Sequence, residues 1–193
     1  MSNLRGAYVD LAAIRDNVKV LQNLAKNSEV MAVVKADAYG HGLIPVARAA
    51  RQGGATWLGT ALLEEAISLR NSGDSGRILT WLGSPNDKWQ ECIDLGIDIS
   101  VSSIEIASGV IKAAKKIGKK AKIHIKVDTG LGRNGVMPND LADLTSLLEE
   151  ATANGLVEVV AVWTHFALAD APSSPTIAKQ LEVLDASFKF VES

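Results

Sequence analysis

The sequence has little cysteine, no excess of either charge and no long apolar run. Cys92 is the only cysteine in 193 residues, which excludes a disulfide within the chain and favours a reducing compartment. Twenty lysines and arginines against 22 aspartates and glutamates give a net charge of −2, so there is no electrostatic basis for binding nucleic acid or an anionic membrane. No run approaches the roughly 18 apolar residues of a membrane span.

Several sequence signals of function are also missing. The N-terminal segment has no apolar core followed by small residues, so we expect no secretory signal and a cytoplasmic protein. The positions of His41, His124 and His165 show no metal-ligand spacing, and no metal is expected. The GxxxxGK[ST] pattern of a P-loop does not occur.

What the chain does contain is a regular alternation of apolar runs and amphipathic helices. The runs are nearly continuous, which is typical of parallel strands buried on both faces. In the fifth run a polar face of Lys122, His124, Lys126 and Asp128 alternates with apolar residues, and in a barrel this face can point into the site. The six runs cover residues 29–35, 55–60, 77–83, 97–102, 121–128 and 158–165.

Alternating βα units form either a doubly wound sheet or a (β/α)8 barrel. We predict an α/β fold of the parallel (β/α)8 TIM type, present as an incomplete barrel of about six βα units in one domain over residues 1–193. A complete barrel typically needs about 250 residues, so we expect a fragment that lacks two units and leaves two unpaired sheet edges. A complete six-unit doubly wound domain is the alternative.

Helix boundaries follow from end signals. Asp10 is expected to cap the first helix. Ser102 and Glu105 form a capping-box pair for a helix that stops at Gly118. The last helix is predicted to carry an apolar stripe of Leu181, Leu184, Phe188 and Val191.

One segment has a chemical signal. The sequence AlaValValLysAlaAspAlaTyrGlyHisGly, residues 32–42, places Lys35 at the C-terminal end of a buried strand, where the sites of parallel α/β proteins assemble. A lysine that leaves an apolar strand has a partly desolvated amine, which suits it to Schiff-base chemistry. The two glycines allow the following turn to bend sharply, and Asp37 and His41 are expected to order it.

This segment resembles the signature of alanine racemases. Three more segments, at residues 57–66, 126–135 and 162–170, resemble the same family in order and spacing. The resemblance implies pyridoxal 5'-phosphate as the cofactor, held by Lys35 through a Schiff base, and alanine as the substrate. It also implies a homodimer with shared sites.

The resemblance assigns roles to four further residues. It implies that Tyr39 contacts the cofactor phosphate, that His165 flanks the pyridine ring, and that Arg133 lies near the cofactor's phenolic oxygen and the substrate carboxylate. Lys126 matches a lysine that is carbamylated in some family members and helps to position that arginine. The glycines around Arg133 predict a flexible loop.

Racemisation needs a base on each face of a planar intermediate, for which the cofactor is the electron sink. The resemblance implies that Lys35 is the base on one face. The other base in the family is a tyrosine from a C-terminal β-domain of the partner subunit, which we expect to lie outside these 193 residues. We therefore expect the chain alone to racemise alanine poorly or not at all, and full turnover by it would contradict this expectation.

Three other functions stay open from the sequence. Other pyridoxal-phosphate barrels, such as basic amino acid decarboxylases and cofactor carriers, also place a lysine after the first strand. A Schiff-base aldolase on the same barrel would need no cofactor. The non-enzymatic reading is a fragment that only binds cofactor or packs against another polypeptide.

Overall fold

The computed structural model describes residues 6–171 and 173–192. The first five residues, part of the segment in which no secretory signal is expected, lie outside the described residues. The chain divides into two compact units, Met1–Thr80 and Trp81–Ser193. Helices and strands alternate along both units, as the apolar runs predict.

The first unit is built on two parallel strands. Met31 lies opposite Trp57, and Val33 lies opposite Gly59. The third strand, β3 (Arg77–Leu82), runs across the division between the two units. Before it, the elements in chain order are α1 (Leu11–Ala25), β1 (Met31–Val33), the short element α2 (Lys35–Gly40), α3 (Leu43–Gly53), β2 (Trp57–Leu62) and α4 (Leu63–Asn71).

Helix α1 begins where its cap predicts and packs closely on α3. The Asp10 carboxylate accepts hydrogen bonds from the backbone N–H groups of Ala12 and Ala13, at 2.9 and 3.1 Å, which confirms the predicted cap. A Cβ added to Gly53 of α3 would lie 2.6 Å from the carbonyl oxygen of Arg15. Only glycine therefore permits this approach of the two helix backbones.

The second unit holds three parallel strands. Ser100 lies opposite His124, and Lys126 lies opposite Trp163. An irregularity between Ile123 and His124 shifts the register of the fifth strand against the sixth. The elements are α5 (Trp89–Asp94), β4 (Asp98–Val101), α6 (Ile104–Ile117), β5 (Ala121–Lys126), a 3₁₀ turn (Pro138–Asp140), α7 (Leu141–Ala153), β6 (Val157–Trp163) and α8 (Pro175–Glu192).

Both faces of β4 are buried, and in β5 every residue except Lys122 is buried, including the polar face that alternates with the apolar one. Ile99, Ile123 and Ile125 are fully buried on one side. The alternating residues on the other side are polar, and they are buried as well: Asp98, Ser100, His124 and Lys126. The thiol of Cys92 on α5 is also fully buried, which agrees with a role in packing.

Two predictions about helices are wrong in detail. Ser103, and not Ser102, caps α6, because the helix begins at Ile104 and the Ser103 hydroxyl accepts a hydrogen bond from the Ile106 N–H at 3.3 Å. On α8, Leu181 and Phe188 are 46% and 44% exposed, whereas Gln180 and Ser187 are buried. The predicted stripe is thus buried only in part, since Leu184 and Val191 are half-buried. The Gln180 side chain accepts a hydrogen bond from the Ala167 N–H at 3.0 Å.

The strand order decides between the two fold classes left open by the sequence. The order is β1-β2-β3-β4-β5-β6, so each strand lies beside its neighbour in the chain. A doubly wound sheet reverses its strand order at a switch point, whereas a barrel does not. The predicted TIM-type α/β fold with six βα units is therefore confirmed. Among the described residues, no helix combines the length and the apolar character needed to cross a membrane.

Candidate active site

Lys35 lies two residues beyond Val33, the last residue of β1, and Val33 is 41% exposed, so the strand end is not buried, in contrast to the sequence prediction. Val34, just before Lys35, is 1% exposed, and its N–H donates a hydrogen bond to the Gly59 carbonyl of β2 at 2.8 Å. The Lys35 side chain is half-buried, and its Nζ lies 5.8 Å from the centroid of the Tyr39 ring, over the ring face. The structure therefore brings Lys35 and Tyr39 together, with the Tyr39 side chain 60% exposed.

The backbone after Lys35 is a left-handed helical turn. Ala36, Asp37, Ala38 and Tyr39 have φ angles of 52° to 56° and ψ angles of 38° to 53°. An L-residue in this conformation costs about 1–2 kcal/mol, so four of them cost about 4–8 kcal/mol. Such a turn persists only where other contacts hold it.

Several hydrogen bonds hold this turn from within. Asp37 closes it twice: its carbonyl accepts from the Gly42 N–H at 2.9 Å, and its carboxylate accepts from the Leu43 N–H at 2.6 Å. The His41 ring Nδ1 lies 3.0 Å from the Ala38 carbonyl oxygen. The expectation that Asp37 and His41 order the turn agrees with these contacts. Gly40 and Gly42 have φ angles of 81° and 94°, so the sharp bend uses the backbone freedom of glycine.

In the second unit, Lys126 is buried against an aromatic side chain. It is 4% exposed, and its Nζ lies 4.8 Å from the Trp163 ring centroid, over the ring face. The Trp163 indole N–H donates a hydrogen bond to the Ser100 hydroxyl at 3.0 Å, and the Trp81 ring meets it edge-on at 6.0 Å. The indole is therefore fixed, and its electron-rich face stabilises a cation at Lys126.

Asp128 organises the loop that carries Arg133. Its carboxylate accepts hydrogen bonds from the N–H groups of Gly130 and Gly132, at 2.9 and 3.1 Å. Burial alone would raise the pKa of this carboxyl, but the hydrogen bonds from the loop backbone and the nearby positive charge of Lys126 outweigh it and lower the pKa below its ordinary value. Asp128 is therefore a carboxylate at neutral pH.

The same loop is closed at its base by backbone hydrogen bonds. The Asp128 N–H donates to the Val136 carbonyl at 2.9 Å, and the Val136 N–H donates to the Lys126 carbonyl at 2.8 Å. Arg133 lies exposed within this closed loop. The glycines thus shape a tethered loop, which is more constrained than the sequence prediction of a flexible one.

His165 follows the C-terminal end of β6, where its side chain is exposed. The residue before it, Thr164, donates a hydrogen bond from its hydroxyl to the Val127 carbonyl at 2.8 Å, and that hydroxyl lies 2.9 Å from the hydroxyl of Thr129. These contacts tie the end of β6 to the end of β5. The residue just before His165 is therefore hydrogen-bonded to the segment that follows β5.

His124 has a buried partner that the sequence did not reveal. Its Nε2 lies 3.0 Å from an Asp98 carboxylate oxygen, and both side chains are almost completely buried. Within the described ranges, no group of three or more histidine, cysteine, aspartate or glutamate side chains has the arrangement of a metal site. The pair lies in the interior of the second unit.

Comparison with known proteins decides the family. The family described as "Alanine racemase, N-terminal domain" matches residues 9–193. The chain belongs to this family. The alanine racemase of Thermobifida fusca is 45% identical over 192 residues, which are 100% of this chain and 51% of that protein. The chain therefore spans about half the length of the curated relatives it matches.

Solved structures agree with this family assignment. The crystal structure of alanine racemase from Streptomyces lavendulae matches with a TM-score of 0.94 and 48% identity, over 95% of this chain and 48% of that one. A histidine racemase from Leuconostoc mesenteroides subsp. sake matches with a TM-score of 0.81 and 31% identity, over 90% of this chain and 46% of that one. The backbone of this alanine racemase domain thus also occurs in a racemase named for a different amino acid.

Sequence reasoning missed two residues of this alanine racemase domain. Glu65 is one: its carboxylate accepts a hydrogen bond from the Ala36 N–H, next to Lys35, at 2.6 Å. Glu65 lies in the segment 57–66 that resembles the family, but the resemblance gave it no role. Its other sequence signal is a place in the first turn of α4, where acidic residues commonly satisfy backbone N–H groups. Trp163 is the other, because an aromatic residue inside an apolar strand gives no sign that a lysine lies on its face.

Proposed function

We propose that this chain supplies the lysine-bearing barrel of an alanine racemase, an isomerase that interconverts L-alanine and D-alanine for peptidoglycan precursors with pyridoxal 5'-phosphate as cofactor. The observation that carries the proposal is the position of Lys35, half-buried at the end of β1 and close to Tyr39. Membership of the alanine racemase N-terminal family supports it.

The residues present fit this cofactor. Covalent attachment needs a primary amine that is partly shielded from water and still accessible, and Lys35 has this exposure. Arg133 and His165 follow the C-terminal ends of β5 and β6, as Lys35 follows that of β1, and this is the end of the strands at which barrel enzymes build their sites. When bound, pyridoxal 5'-phosphate stabilises the negative charge left when the α-proton of alanine is removed.

Each of these side chains has a proposed task. The Lys35 amine attaches the cofactor and then removes or returns the alanine α-proton on one face. The Tyr39 phenol would donate a hydrogen bond to the cofactor phosphate, and the His165 imidazole would flank the ring. The Arg133 guanidinium binds the alanine carboxylate, because its fixed cation matches a carboxylate in charge and geometry.

The rest of the proposal concerns the whole protein. We propose that it acts as a cytoplasmic homodimer and that a tyrosine of the partner subunit is the second base. Weak or absent racemisation by the 193-residue chain alone stays a prediction. The structural likeness to a histidine racemase makes histidine the first competing substrate, so racemisation assays of the full-length protein should include L-histidine beside L-alanine.

The cofactor proposal predicts a covalent mark on one lysine. After incubation with pyridoxal 5'-phosphate and reduction with borohydride, peptide mass mapping should find the label on the peptide that contains Lys35. Lys35→Arg should abolish this label, because arginine keeps the charge and offers no primary amine. Exposed Lys19 serves as the internal comparison for non-specific labelling. Equal labelling of both lysines, or none at Lys35 in the full-length protein, would overturn the proposal.

Lys126 matches a lysine that is carbamylated in some family members, and one experiment distinguishes the modified from the unmodified side chain. A carbamate would place a negative charge beside the Asp128 carboxylate and on the face of Trp163, where the ammonium is now stabilised. Its formation should therefore shift the indole N–H resonance of Trp163. The measurement is a ¹³C NMR spectrum of protein equilibrated with ¹³C-bicarbonate, with Lys126→Arg as the control. A carbamate carbon that is present in the wild type and absent from Lys126→Arg would show the modification, and a spectrum without it would show an unmodified amine.

A further inference from the structure

We propose that Glu65 is a positioning residue for Lys35, which it holds through the backbone of the left-handed turn without touching the amine. The proposal rests on the role proposed for Lys35 and extends it to a residue on a different element. Glu65 lies on α4, 29 residues after Ala36 in the chain. Lys35 and Glu65 are both half-buried.

One carboxylate joins two stretches of backbone. One oxygen of Glu65 accepts from the Ala36 N–H at 2.6 Å. The other accepts from the N–H groups of Ala61 and Leu62, at 3.0 and 2.9 Å, where β2 passes into α4. The first peptide group after Lys35 is thereby tied to the C-terminal end of the neighbouring strand.

The start of α4 fixes this carboxylate in advance. Leu62 is the N-cap of α4, and Glu65, three residues later, accepts a hydrogen bond from its N–H, as in one half of a capping box. Because the helix start already requires one oxygen at that place, the second oxygen is directed towards Ala36 at little further cost in side-chain entropy.

These hydrogen bonds of Glu65 act at the start of the left-handed turn. Ala36 is the first of the four left-handed residues, with φ 52° and ψ 53°. On the other side of Lys35, the Val34 N–H is bonded to the Gly59 carbonyl at 2.8 Å. Lys35 is therefore held from both sides, by strand pairing before it and by Glu65 after it. Without the Ala36 bond, the turn would relax towards ordinary backbone angles and change the direction of the lysine side chain.

The test compares two adjacent glutamates. A glutamine at position 65 offers a single acceptor oxygen and brings an NH₂ group against a backbone N–H, so E65Q cannot keep both sets of hydrogen bonds. E64Q removes the same charge from the same helical turn and leaves the Glu65 carboxylate in place. The readout is the rate of labelling of Lys35 by pyridoxal 5'-phosphate and borohydride, relative to that of Lys19, well below the melting temperature of each variant.

We expect E65Q to slow the labelling of Lys35 about tenfold, since a hydrogen bond to a charged group is lost, while Lys19 is labelled at the wild-type rate. E64Q should label like the wild type. The double variant E65Q/A36G should recover part of the rate, because glycine adopts the left-handed conformation without steric cost. Wild-type labelling of Lys35 in E65Q, or equal changes at Lys35 and Lys19, would overturn the proposal.

Two further measurements apply if E65Q does not fold or if pyridoxal 5'-phosphate does not label Lys35. If E65Q does not fold, amide hydrogen exchange of the wild-type chain tests the proposal instead. The Ala36 amide should be protected to the same degree as those of Ala61 and Leu62. An unprotected Ala36 amide would overturn the proposed hydrogen bond to Glu65. If pyridoxal 5'-phosphate does not label Lys35 in the wild type, the proposed function fails by itself. Acetic anhydride then replaces the cofactor as the amine reagent in the same comparison of variants.

Discussion

Gly135→Ala should destabilise the second unit by about 2–4 kcal/mol, the combined cost of a strained backbone and a steric overlap. Gly135 has φ +136°, and an added Cβ would lie 2.4 Å from the Asp128 nitrogen and 2.7 Å from the Val127 carbonyl carbon. Those atoms belong to the backbone, so no side chain can move aside. Chemical denaturation monitored by tryptophan fluorescence measures the change in the free energy of unfolding.

Gly132→Ala is the matched control for this prediction. Gly132 also has a positive φ, +73°, but nothing lies within 4 Å of an added Cβ. The control should therefore cost only about 1 kcal/mol, for the backbone conformation alone. Losses of equal size in the two variants would show that the close approach at the base of the Arg133 loop has no energetic weight.

Asp98→Ala should cost about 1–3 kcal/mol, as expected when a buried polar group loses its hydrogen-bond partner. Asp98 and His124 are 3% and 5% exposed, and 3.0 Å separates the carboxylate oxygen from the ring nitrogen. Alanine leaves the imidazole without this acceptor in a place that water cannot easily reach. The midpoint of urea unfolding, with the m-value held fixed, measures the loss.

An exposed aspartate of the same unit provides the comparison. Asp94 pairs with Lys119, and their side chains are 61% and 54% exposed. Asp94→Ala should change the free energy of unfolding by at most about 1 kcal/mol, because solvent screens such pairs. If Asp98→Ala is as mild as Asp94→Ala, the buried pair contributes no more than a surface contact.

The sequence predicts the framework of this domain because its signals are local and repeated. Each apolar run predicts a strand that the structure contains, and the cap at Asp10 needs only residues within one helical turn. The position of Lys35 at a strand end follows from the same pattern. The order of the strands could not be derived, since alternating βα units are compatible with both a barrel and a doubly wound sheet.

What escaped prediction depends on partners that are distant in the chain. The side chain of Glu65 reaches Ala36, and the Trp163 indole reaches Ser100, 63 residues before it. Neither spacing has a periodicity that a pattern could reveal. On α8 the structure buries Gln180 and Ser187 beside the predicted apolar stripe, and Gln180 accepts its hydrogen bond from Ala167, 13 residues before it.

The left-handed backbone of the segment after Lys35 reverses the order of alanine and glycine in helix propensity. Along Ala36–Tyr39, glycine and asparagine are the residues that the backbone accommodates best, whereas valine and isoleucine, with their branched Cβ atoms, are the worst. A helix-propensity scale, which favours alanine over glycine, has the wrong sign at these four positions. Redesign of this segment by ordinary helical rules would therefore exclude glycine, the residue that its left-handed geometry accommodates best.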